Sequence, residues 1–264
     1  MHKQGFEYST INGFRSSILA LHPRIDKIPI GQHEEVSAVM AGIFHANPPT
    51  PKHSQFWDVS VVLEYIKSLG ENEDLQPRDL SWKSVTLVAL VTASRSSDIS
   101  ALDTRFMNDL GDKIVFQVKE LEKTRKIGQK PRTVNIFEYK EDPKLDPVSC
   151  LRLYVERTRH LRPKEGNQLF ISTVSPYGPV KSSTIAGWIK RLLGLSGVDT
   201  SIWTAHSTRG ASTSKAQNVG VTVQAILDSA NWRSVGTYKK FYNKPIDDAT
   251  AEFQQKMLLT CKWL

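Results

Sequence analysis

The chain has 264 residues, of which 39% are apolar, enough for one large core or two modest ones. Lysine and arginine number 35 against 27 acidic residues, giving a formal charge of +8 that favours an anionic partner. Cys150 and Cys261 are too few for a disulfide scaffold or a cysteine metal cluster, and they read as buried thiols of a reducing compartment. No apolar run has membrane-spanning length, and MHKQGFEYSTINGF has no hydrophobic stretch of a secretory leader, so the expectation is a soluble intracellular protein with no membrane contact.

The first predicted element is a helix in STINGFRSSILALHP, where Ile11, Phe14, Ile18 and Leu21 recur at spacings of three and four and Pro23 stops the run. EEVSAVMAGIFHA predicts a second helix, with Val36, Val39, Met40 and Ile43 on one side. NPPTPKHSQFW breaks helicity with three prolines. VSVVLEYIKSLG predicts a third helix ending at Gly70. Polar ENEDLQPRD (71–79) reads as a linker, which divides the chain into a small helical module over 1–70 and a larger domain over 71–264.

DLSWKSVTLVALVTASRSSDISAL continues as a long helical region with a polar interruption at TASRSSD. KIVFQVKELEKTRK and PRTVNIFEY are rich in Val, Ile and Phe and read as two strands with a basic turn between them. LDPVSCLRLYVERTRHL, SSTIAGWIKRLLGLSG and the apolar-faced TAEFQQKMLLTCKWL predict further helices. The expected fold class is therefore mainly α with a small inserted antiparallel β-sheet, an α+β arrangement.

Four clusters carry function-capable side chains. In TASRSSDIS, Arg95 and Asp98 share a helical face, either as a surface ion pair or as an arginine held for bidentate phosphate binding. In KELEKTRKIGQKPR, Lys119, Lys123, Arg125, Lys126, Lys130 and Arg132 crowd into 14 residues, as a solvated hairpin or one touching a nucleic-acid backbone. In HSTRGASTS, His206 and Arg209 share a face, and Gly210, Ala211, Ser212 and Ser214 leave room for a close approach. In NWRSVGTYKKFY, Tyr238 and Tyr242 are each core filling or a nucleophile. A phenol with a pKa near 10 needs a cationic surround and a proton acceptor to attack at neutral pH.

The order of these clusters resembles the tyrosine recombinase (phage integrase) superfamily, most closely the recombinases of DIRS-type retrotransposons. The similarity extends over nearly the whole chain, through STINGFRSSILALHP, IPIGQHEEVSAVMAGIF, FWDVSVVLEYI and NWRSVGTYKKFY. The resemblance implies a catalytic domain over 71–264 preceded by a partial DNA-clamping module over 1–70, short of one or two of the family's helices. It implies catalytic roles for Arg95, Lys123 (with Lys119 as the alternative), His206, Arg209, Trp232 and Tyr242, with Asp98 as the acidic neighbour of Arg95. Tyr242 stands ten residues beyond Trp232, where many bacterial members have nine, and the ninth here is Phe241. Tyr238 is the alternative nucleophile. Gly210 stands where many members have a second histidine.

The activity implied is site-specific cutting and rejoining of double-stranded DNA through a 3′-phosphotyrosyl bond, with no cofactor or metal. A tetramer formed on DNA follows from the same resemblance, as does a nuclear location in a eukaryote or a cytoplasmic one otherwise. A non-catalytic DNA-binding descendant of a mobile element, and a type IB topoisomerase-like relaxing enzyme, are the alternatives.

Overall fold

Helix α1 (Tyr8–Leu21) and helix α2 (Glu34–Ala46) are joined through a 3-10 turn at Ile30–Gln32. These and the remaining elements come from a computed structural model, which describes residues 4–48, 55–118, 132–163, 166–232, 235–236 and 238. The two helices form a first compact unit that ends at Ser54. Of the apolar stripe expected on α1, Ile11 is buried, whereas Ile18 is 53% exposed and Leu21 is 88% exposed. Two short helices offer too little facing surface to cover both stripes. They leave an apolar groove of about 390 Å³ between Ile11, Phe14, Ile18, Val36, Val39 and Met40.

The second unit begins at Gln55, ahead of the boundary read from the sequence at residue 70. Helix α3 (Val59–Ser68) accounts for the difference. Its buried face of Val59, Val62 and Ile66 joins the same core as the helices that follow, so α3 folds with the larger unit. Asp58 caps α3 by accepting the Ser60 N–H at 2.9 Å.

Helix α4 (Pro77–Thr92) is the axis of this unit, and Pro77 opens it at a position where the missing N–H costs nothing. Its residues Leu80, Val85, Leu87, Val88 and Ala89 are buried all round by α6 (Pro147–Thr158), α7 (Ser182–Leu195), α8 (Ser207–Asn218) and strand β3 (Arg132–Phe137). The polar interruption seen in TASRSSD is a true break. Ala93 takes a left-handed φ of 45° and ends α4, and α5 (Ser96–Ser100) restarts when the Asp98 carboxylate accepts the Arg95 N–H at 3.1 Å.

The sheet is antiparallel with order β1-β2-β3. Strands β2 (Lys113–Val118) and β3 pair in a register that sets Ile114 opposite Ile136 and Phe116 opposite Val134, so one apolar face meets the core. The short strand β1 (Met107–Asp109) has no separate signature in the sequence. It is tied to α6 by Arg152, which donates to both Asp109 oxygens at 2.7 and 2.6 Å and holds that carboxyl at a pKa of about 2. The chain then continues through α8 into α9 (Val223–Ser229). Cys150 is a buried free thiol 3.1 Å from Ser84 Oγ, and burial raises its pKa to about 11. Among the described residues no helix is long and apolar enough to cross a membrane, and no group of His, Cys, Asp and Glu could hold a metal ion.

Candidate active site

Three helix termini bring the expected residues together. Helix α4 ends at Ala93, two residues before Arg95. Helix α8 begins after His206 and carries Arg209 in its first turn. Helix α9 ends just before Trp232.

Arg209 is 1% exposed and its guanidinium is fixed by backbone carbonyls. Nη1 donates to the Ala93 oxygen at 2.7 Å, and Nη2 donates to the Ala230 oxygen. Both acceptors lie at helix C-termini, where carbonyls are left over and the helix dipole is negative. The guanidinium carbon sits 4.4 Å from the centre of the Trp232 ring, close enough for a cation–π contact. Trp232 is itself buried, with the Tyr238 ring 5.3 Å away at 32°.

Arg95 is the open member of the site. Its side chain is 46% exposed and its Nη1 lies 3.9 Å from Asp98. The Asp98 carboxylate is shared with Arg132 at 3.6 Å, where Arg132 opens strand β3 and is mostly covered. Asp98 therefore ties the break between α4 and α5 to the base of the β2–β3 hairpin. The sequence reading counted Arg132 only as one charge in a basic stretch, and nothing in the spacing linked it to Asp98 across 34 positions.

His206 precedes α8 and is exposed to solvent. Crowding pulls its pKa below the ordinary imidazole value, and the Arg209 and then the Arg95 guanidinium pull it further in the same direction. These two arginines thus act on one imidazole. Arg95, His206, Arg209 and Trp232 occupy a single region of the second unit.

Tyr238 is fully buried, its hydroxyl donates to Gln217 Oε1, and burial raises its pKa. It is core filling, with its hydroxyl bonded to α8. Tyr242, Lys123 and Lys119 lie outside the described residues.

The approach anticipated at the small residues of α8 is made by an aromatic ring. A Cβ added to Gly210 would stand 2.0 Å from Phe56 Cζ. The second histidine that many recombinases carry at this point would have no space here. Beside it, Trp57 Nε1 donates to Ser207 Oγ at 2.8 Å. Neither Phe56 nor Trp57 was singled out from the sequence. Only the run of small residues in HSTRGAS pointed to a neighbour.

The sequence matches no family model and no curated protein. Solved structures with the same fold do match. XerA recombinase aligns with 95% of this chain and 82% of its own at a TM-score of 0.57 and 15% identity. An integrase of the Tn1549 transposon, in complex with circular intermediate DNA, aligns with 95% of this chain and 80% of its own at 0.59 and 16%. XerH recombinase bound to palindromic difH DNA, in a post-cleavage complex, aligns with 89% of this chain and 64% of its own at 0.59 and 13%. The mainly helical chain with its small antiparallel sheet has the tyrosine recombinase fold.

Proposed function

We propose that this chain is a site-specific DNA recombinase that breaks and rejoins a phosphodiester through a phosphotyrosyl bond at Tyr242. The observation that carries the reading is the tie of Arg209 to the Ala93 carbonyl, two residues before Arg95, with both guanidiniums bearing electrostatically on His206. Two guanidiniums at one imidazole form a site for a phosphate diester, whose non-bridging oxygens match the arginine fork. The recombinase fold and the DNA held by XerH and the Tn1549 integrase support DNA as the partner.

In this reading Arg209 is a preorganised donor. Its carbonyl contacts are made before the substrate arrives, so little reorganisation is needed as charge builds on the phosphoryl oxygens. Arg95 closes on the phosphate from the solvent side. Neutral at neutral pH, His206 takes the proton of the Tyr242 hydroxyl as its oxygen bonds to phosphorus. The bond to the 5′-oxygen breaks and Lys123 protonates that oxygen. A 5′-hydroxyl from another strand reverses the step and releases the tyrosine. Trp232 holds Arg209 through its ring, and in this reading its indole N–H donates to a phosphoryl oxygen. No cofactor enters this sequence.

The net charge of +8 would make binding salt-dependent through the DNA backbone. The likeness of NWRSVGTYKKFY to DIRS-type recombinases supports a mobile-element origin and, in a eukaryote, a nuclear site of action. The apolar-faced stretch over 250–264 supports assembly of a tetramer on DNA.

The test is a nicked suicide duplex whose sequence is selected for binding from a random pool. Wild-type protein is expected to become covalently attached, and Arg95→Ala to slow attachment by about a hundredfold or more. Noncovalent binding without attachment would instead favour a non-catalytic DNA-binding protein. Relaxation of supercoiled plasmid without strand exchange would favour a topoisomerase.

A further inference from the structure

Helix α8 has two working faces. His206 and Arg209 lie toward one side, where Arg209 reaches the ends of α4 and α9. Ser207, Gly210, Ala211, Ser214 and Lys215 recur at spacings of three, four, seven and eight on an adjoining side, with Gly210 one turn along from His206. Along that second side runs the chain from Phe56 to Ser60. Trp57 Nε1 donates to Ser207 Oγ at 2.8 Å, and Ser207 Oγ in turn donates to the Thr204 carbonyl at 2.7 Å. The Phe56 ring covers Gly210 and lies 5.8 Å from the Trp203 ring. At the far end, Lys215 Nζ lies 3.8 Å from Asp58 Oδ1 and donates to Ser60 Oγ at 3.4 Å.

A helix held along its length by a ring, an indole N–H and an ammonium cannot turn about its axis without breaking these contacts. A rotation of one residue position would swing Arg209 away from the Ala93 and Ala230 carbonyls and re-aim His206 at the start of the helix. The small residues of HSTRGAS suit this arrangement because the Phe56 ring occupies the volume of the absent Gly210 side chain.

We propose that Phe56 and Trp57 are positioning residues that fix the rotation of α8 and so set where His206 and Arg209 meet a bound phosphodiester. The proposal rests on the reading of those two residues as phosphate-handling groups. It predicts that disturbing the strap slows chemistry while leaving DNA affinity in place.

The experiment compares wild type, Gly210→Ala, Phe56→Ala with Gly210→Ala, and Trp57→Phe. Three quantities are measured: the single-turnover rate of covalent attachment to the suicide duplex, the affinity for an unnicked duplex, and the His206 titration by NMR. Gly210→Ala is expected to lower the rate roughly tenfold to a hundredfold, with duplex affinity kept within about twofold. It is also expected to raise the His206 midpoint by about half a unit as the guanidiniums move off. Adding Phe56→Ala makes room for the new methyl and should recover most of the rate and the midpoint. Trp57→Phe keeps the ring and loses the N–H, and should slow attachment several-fold with affinity kept.

A Gly210→Ala protein with wild-type rate and midpoint overturns the strap, as does a rate loss that Phe56→Ala does not relieve. If wild type forms no covalent complex, the recombinase reading falls and the titration still decides. A midpoint that moves in Gly210→Ala and returns in the double variant supports the strap, and an unmoved midpoint rejects it.

Discussion

Arg209 donates to the carbonyl of Ala93 at 2.7 Å, across 116 positions of chain, and this one bond joins helix α8 to the break that presents Arg95. With a second carbonyl and an indole face around it, the guanidinium is buried as a fixed charge. Removing it leaves helix-end carbonyls without their donor in a dry place. Arg209→Ala is expected to cost about 3–5 kcal/mol of stability in urea unfolding. Arg209→Lys restores the charge but cannot span two carbonyls with one fork, and should recover less than half of the loss. Full recovery by lysine would mean that charge alone matters there.

His206 should titrate below its ordinary value near 6.5. The sign follows from crowding by protein atoms and two neighbouring cations, which disfavour the protonated ring in the folded state. Between the unfolded and folded midpoints the unfolded chain binds a proton that the folded chain refuses. Stability is full above about pH 6.5 on this account, declines as pH falls from there, and levels off below the folded midpoint. NMR titration of His206 checks the direction, and Arg95→Gln should raise the midpoint by removing one of the cations. A midpoint above 6.5 in wild type would contradict the cation-flanked site.

Lys83 is a buried cation at odds with its surroundings. Its side chain is fully buried in α4, its Nζ has no hydrogen-bond partner among the described residues, and burial lowers its pKa. Lys83→Met fills the same volume without an amine to desolvate. A gain of about 1–3 kcal/mol in urea unfolding is expected. A loss of stability would show that the amine is satisfied in solution.

Asp98 links Arg95, through backbone and side chain, to Arg132 on β3. Asp98→Asn keeps an acceptor for the Arg95 N–H but removes the charge that holds Arg132. Unfolding free energy should fall by about 1–2 kcal/mol. Covalent attachment should slow by more than that loss explains, since both the Arg95 turn and the hairpin base are released. Equal, small effects on both would assign Asp98 to capping alone.

Much of this arrangement was legible in the sequence, for particular reasons. The break at TASRSSD could be read because a polar run interrupts an apolar helix, and the strands could be read because β2 and β3 alternate Ile, Val and Phe. The position of α3 could not, because its amphipathic face says that it packs but not on which unit. Within the site, the pairing of His206 with Arg209 was local and visible at a spacing of three. The carbonyl cradle of Arg209 was invisible, since backbone oxygens leave no mark on side-chain pattern. Tyr238 and Tyr242 looked alike until burial separated the first from solvent. Phe56 lay hidden in a proline-rich break, and its partner Gly210 showed only as a gap in side-chain volume.

The central claim is most directly tested by locating the covalent bond. Protein trapped on the selected suicide duplex is digested with protease and nuclease, and the peptide bearing the nucleotide remnant is sequenced by mass spectrometry. The account predicts a phosphotyrosyl residue at Tyr242 and an unmodified Tyr238. An adduct at Tyr238, or one that persists in Tyr242→Phe, would contradict it.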